Sequence, residues 1–218
     1  MRSLIAGMVL LVCAVPALAQ EAPAKQVPAP QSLAVVAKVP LQTGLTVDIE
    51  WVPLAGRSRG RLYSCSVVTV DAKSVAYRTL HNNVLHTIAN RDDCANYTGN
   101  WSEQSDDQLP HTWPWIPLAA ARQLGEAQAG QTKVKLGDLL AGEMREYLFA
   151  GRRLVPCVCN GEPALVPCWV LVSGNGATIS ALADPENPLL IESYEPGLSM
   201  QRTLAIKGSD IGLKPLAD

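Results

Sequence analysis

From Leu45 the chain alternates. Leu45, Val47, Ile49 and Trp51 fall on one side of an extended backbone, and Thr46, Asp48 and Glu50 on the other, the period of two that a half-buried strand requires. Beyond the Gly- and Arg-rich stretch at 55–60, "RLYSCSVVTV" is dense in β-branched residues, "DAK" is a turn signal and "SVAYRTL" resumes the pattern. A hairpin is predicted there, with Cys65 on the face of Tyr63 and Val67. Residues 81–112 are polar, rich in turn formers and without a sustained period, so a loop with one short strand near Val84 to Ile88 is expected. In "WPWIPLAAARQLGEA", Pro117 stands where a first helical turn tolerates proline, and Leu118, Ala121 and Leu124 follow at helical spacing. This is the one short helix the pattern predicts.

The last third is a run of short strand-like stretches, "EMREYLFAG", "RRLVPCV", "ALVPCWVLV", "ATISALA", "LLIESY" and "MQRTLAI". They are separated by turn signals at "AGR", "CNGE", "SGNG", "DPENP" and "EPG". Such spacing predicts a mainly β fold: an antiparallel sheet, a meander or a partly open barrel, with one short helix.

The N-terminus follows another pattern. "MRSLIAGMVLLVCAVPALAQ" joins a basic start at Arg2 to an apolar run and an Ala17-Leu18-Ala19 cleavage site, which reads as a signal peptide over residues 1–19. Residues 20–40, rich in Ala and Pro without amphipathic period, read as a tether, and 41–218 as a single β-rich domain. No later stretch approaches the about 18 apolar residues a spanning helix needs, so the expected product is exported, and periplasmic if the source is Gram-negative. The formal net charge of -2 and the lack of a basic patch do not recommend nucleic acid as a partner.

Export changes the meaning of the thiols, because disulfides persist in oxidising compartments. Cys65, Cys94, Cys157, Cys159 and Cys168 remain after cleavage, an odd number. If Asn160-Gly161 heads a two-residue turn, 159 faces 162 and 157 faces 164, whereas a longer loop brings Cys157 opposite Cys168. Cys157 and Cys159 share one face of a strand with Cα atoms about 7 Å apart, at the limit for bonding each other. The plainer expectation is two disulfides and a spare thiol, with Cys157 or Cys159 bridged to Cys168 and Cys65 to Cys94. The competitors are copper(I) or zinc held by Cys157, Cys159 and a third ligand, or a redox role.

Other chemistry is thinner. Gly56-Arg57-Ser58-Arg59-Gly60 matches the G-x-S-x-G elbow, but the strand-like stretch after it stands where a hydrolase needs a helix. His81, His86 and His111 are expected at the surface. Trp101, Trp113 and Trp115 form a possible binding platform, although such residues more often plug the end of a β core. No catalytic residue set, resident metal or cofactor is expected.

"ISALADPENPLLIESYEPGLSMQRTLAIKG", with "WPWIPL" and "GRRLVPCVCNGEPALVPCWVLV", resembles a group of uncharacterised exported bacterial β-rich domains, over about Tyr147 to Lys207. In that group the last strands carry an aspartate-proline-x-asparagine-proline-leucine turn. Some members resemble a module placed before a peptidoglycan-binding outer-membrane-protein-A-like domain, a second module that this sequence does not show. The resemblance implies no catalytic residues. Physically, Pro185 and Pro188 each fix a φ angle and Leu189 and Ile191 resume a strand, so the corner is expected to hold the final hairpin in register. The leading expectation is therefore a non-enzymatic exported domain binding a protein or envelope partner. A lipid or small-molecule carrier with an apolar cavity is the alternative.

Overall fold

A computed structural model describes residues 33–54, 60–95, 97, 107–109, 112–137 and 143–215. The leader, Ser58, Trp101 and His111 lie outside the described residues. In chain order the elements are β1 (Ala34–Lys38), β2 (Thr46–Pro53), β3 (Arg61–Val70), β4 (Val75–Thr79), β5 (Leu85–Ile88), β6 (Asp107–Leu109) and α1 (Leu118–Gly125). They continue with β7 (Lys133–Gly137), β8 (Met144–Cys159), β9 (Glu162–Ser173), β10 (Thr178–Leu182), β11 (Leu190–Glu195), β12 (Ser199–Lys207) and β13 (Gly212–Pro215). The protein is mainly β, as the alternation predicts.

The strands form one large, mostly antiparallel sheet in the order β13-β1-β9-β10-β11-β12-β2-β3-β4-β5-β6, with β8 beside β9 and β7 beside β8. From β8 the pairing runs through β9, β10, β11 and β12, and it returns to β8 by a short parallel contact, Ala205 with Val158 and Ile206 with Cys159. The result is a partial ring of strands that is not a regular barrel. Inner-face positions recur every second residue, as in Tyr63, Cys65 and Val67 of β3 or Ala164, Val166 and Cys168 of β9, all buried. Trp113, Trp115, Trp169, Tyr77, Tyr97 and Tyr147 are the bulkiest contributors to the same core, and each buried large apolar side chain contributes about 1.5–3 kcal/mol by leaving water.

Local signals and structure agree at the turns. Asn160 and Gly161 both adopt positive φ, 51° and 88°, the combination a two-residue hairpin turn needs. Cys159 accordingly pairs with Glu162, and Cys157 with Ala164. Asp71 closes the β3–β4 turn by accepting from the backbone N–H of Lys73 and of Ser74, at 2.8 and 2.7 Å.

Three expectations change. The tether stops short of residue 40, because Ala34–Lys38 lies parallel to β9 and antiparallel to β13 with Val36 buried. Secondly, "AGR" does not reverse the chain: Gly151, at φ 130°, sits at a register shift between Phe149 and Gly151. There the long strand β8 bends while β9 pairs with both halves. A lone glycine in a strand makes a bulge when the partner strand continues past it. Thirdly, His86 is completely buried, beside Tyr77 at a ring-centroid distance of 5.2 Å. His81 is exposed, as read, and packs edge-on against Tyr63.

Candidate functional site

The 184–188 corner is built from both ends of the chain. Asn187, 1% exposed, donates from Nδ2 to Val39 O at 2.7 Å, and its Oδ1 accepts from Trp115 Nε1 at 2.7 Å. Backbone bonds from Ile116 N to Pro188 O and from Leu190 N to Pro114 O lay the segment 114–116 along the same corner. Asp184 Oδ1 caps the turn by accepting from Glu186 N at 2.9 Å. Trp113 and Trp115 are thus buried, at 2% each, with Trp113 Nε1 donating to Gln201 Oε1. The exposed-platform reading of these two residues is corrected: both plug the core, and their indole N–H groups are spent internally.

Beside the corner a cleft of about 600 Å³ opens. Its floor and walls include Leu41, Val70, Leu118 and Pro185, and Lys38, Asp71, Arg91, Arg122, Asp184 and Glu186 bring charge to it. Asp71 is fixed by turn bonds. The Ser74 hydroxyl first, then the N–H groups of Lys73 and Ser74, hold its carboxyl below the usual range. Arg122 pairs with Asp92 at 3.0 Å, an exposed contact of small energetic consequence.

Arg91 is the unusual member. It follows β5 in the polar stretch "ANRDD", yet it is only 7% exposed. Its backbone explains the position: Arg91 N donates to Lys73 O at 2.8 Å, and Arg91 O accepts from Leu118 N, the first residue of α1, at 2.7 Å. The guanidinium donates from Nη2 to Glu186 O at 2.7 Å, while Nε is buried without a hydrogen-bond partner. Burial lowers its pKa, and Asp92, Glu186 and Asp71 oppose this from a distance. No carboxylate among the described residues lies within ion-pair distance of it. Sequence reading missed Arg91, since nothing in its local pattern separates it from a solvated surface arginine.

All five described cysteines are unbonded. Cys168 lies across from Arg153, while Cys157 faces Ala164 and Cys159 faces Glu162, so the hairpin register makes Cys168 the cross-strand partner of neither member of the C-x-C pair. Cys65 belongs to the inner face of β3, and Cys94 lies in the loop after β5 with its thiol at the carbonyl of Asp92. No group of three His, Cys, Asp or Glu among the described residues is placed to hold a metal ion, so the third ligand that Cys157 and Cys159 would need is not supplied there.

Burial, with Asp48 adding to it for Cys65, pushes the thiols of Cys65 and Cys168 up to about 12. Cys157 rises chiefly because it donates to Cys159, whose own pKa that bond lowers. At pH 8 a thiol at about 12 is about one part in ten thousand ionised. In the folded protein, half-buried Cys94, whose thiol pKa burial also raises, is expected to react with iodoacetamide before the fully buried Cys65 and Cys168. Quantitative peptide mapping checks this. In denaturant without reductant all five should label, and finding only one would mean that two bridges form.

Neither a family model nor a curated protein nor a solved structure matches this chain.

Proposed function

We propose that this protein is a non-enzymatic exported domain of the cell envelope that binds a partner through the cleft beside the 184–188 corner. The observation that carries the reading is Arg91. A cation is held at a cleft wall by the β3–β4 turn, the start of α1 and the corner. That arrangement costs desolvation energy, and no carboxylate among the described residues pairs with the cation to offset it. Folds tolerate such a cost at binding sites more readily than in a purely structural corner. The envelope setting rests on the N-terminal leader pattern and on the exported domains that "DPENPLL" resembles. High thiol pKa values at Cys65 and Cys168 support the non-enzymatic part, because neither is a ready nucleophile.

Expression with the native leader in a Gram-negative host tests the setting. The expected result is a periplasmic product lacking residues 1–19, and a product retained in the cytoplasm at full mass would remove it. Ala72→Trp, at an exposed position on the cleft, tests the site. Envelope components captured by immobilised native protein should be lost with this variant, and an unchanged set would mean that the cleft is not where partners dock.

A further inference from the structure

Arg91 also constrains what enters the cleft. A guanidinium carries five N–H donors in a planar fork, and here one hydrogen bond is made, to the Glu186 carbonyl, while Nε is buried and unpartnered. Buried arginines ordinarily meet a carboxylate, because paired N–H···O bonds offset the loss of hydration. The acidic residues around this one cannot take that part as placed. Asp71 accepts from Lys73 N, Ser74 N and Ser74 Oγ. Asp184 caps its own turn, and Asp92 pairs with Arg122. Glu186 offers Arg91 its backbone oxygen and acts on it otherwise only at a distance. A planar anion from outside therefore fits the Nη donors that Glu186 leaves unused, Nε being closed off from the cleft.

Resting on the cleft as the binding site, we propose that Arg91 receives a carboxylate borne on an apolar body, the body lying against Leu41, Val70, Leu118 and Pro185. The cleft's volume of about 600 Å³ lies within the range of small-ligand sites. Its charged lining balances, Lys38, Arg91 and Arg122 against Asp71, Asp184 and Glu186, so attraction is local to Arg91 rather than a long-range field, and affinity should change little with salt. The carboxylate belongs either to a free acid or to the C-terminus of a peptide. The first makes the domain a small-molecule carrier, and the second makes it a docking module.

The test uses the full chain, purified from its exporting host and labelled with ¹⁵N-arginine. Acetate, octanoate, octanamide and N-acetyl-dileucine with a free carboxylate are titrated while the arginine Nε–H resonances are followed. Octanoate or the dipeptide acid should move the Arg91 resonance, assigned by its loss in Arg91→Lys, and should bind at least tenfold more tightly than octanamide. The tighter of the two identifies the source. Ala72→Trp, which leaves the core untouched, should abolish the shift even if Arg91→Lys fails to fold. If octanoate and octanamide bind equally and both are lost in Ala72→Trp, the carboxylate assignment falls and the cleft stands. If no probe moves the Arg91 resonance, the assignment falls. The cleft then falls with it only if Ala72→Trp also leaves the captured envelope components unchanged.

Discussion

Asn187→Ala lowers the unfolding free energy by about 2–6 kcal/mol, the sum of two buried groups left unpaired at about 1–3 kcal/mol each. The side chain is 1% exposed and serves Val39 O as donor and Trp115 Nε1 as acceptor. Truncation therefore strands a buried carbonyl and a buried indole N–H. Urea unfolding followed by tryptophan fluorescence measures the loss, with Asp184→Ala as the comparison. That variant removes two turn-closing acceptor contacts at the corner, from Glu186 N and Asn187 N, and should cost about 1 kcal/mol. A loss under about 1 kcal/mol for Asn187→Ala would mean that water takes over both contacts and that the corner is not pinned from within.

Gly137→Ala should cost about 2–3 kcal/mol, for a different reason. A Cβ at this position would stand 2.7 Å from Ala95 O and 2.8 Å from Tyr97 O. Both contacts are to backbone, and Gly137 N already donates to Cys94 O at 2.7 Å, so relief requires the 94–97 segment to move away from β7. Overpacking of that kind typically costs about 1–3 kcal/mol. Gly125, at the end of α1, has nothing within 4 Å of a built Cβ, so Gly125→Ala should instead stabilise by up to about 1 kcal/mol through helix propensity and a less flexible unfolded chain. Thermal and chemical unfolding of the pair give the sign directly. Equal midpoints for the two variants would overturn the close-approach argument.

These positions show which features were legible. Strands whose one face enters the core announce themselves by alternation, as at Leu45 to Trp51, and the Asn160-Gly161 turn sets the register of its hairpin within four residues of sequence. Pro117 and the spacing of Leu118, Ala121 and Leu124 mark the helix that forms. β1 did not announce itself, because five residues of Ala, Val and Lys after a proline-rich stretch have no period of their own. It becomes a strand only because β9 and β13 flank it. The parallel closure of β8 on β12 likewise depends on residues far apart in sequence. Trp113 and Trp115 look alike from sequence whether they face water or the core. Their burial is decided by Gln201 and Asn187, which lie 88 and 72 residues away. The site was the least legible part. Among "NRDD" an arginine reads as solvated, and only the backbone bonds to Lys73 and Leu118 draw Arg91 inward.

The place of β1 bears on the order of folding. Its partners are Ala164 and Leu165 of β9 and residues 212–215 of β13, so the first described strand is completed only by the last. A chain emerging from a ribosome holds β1 without its β13 neighbour until residues 212–215 have followed. Pairings of such wide sequence separation are slow to form. The first-made of the described strands is then among the last to gain both its neighbours.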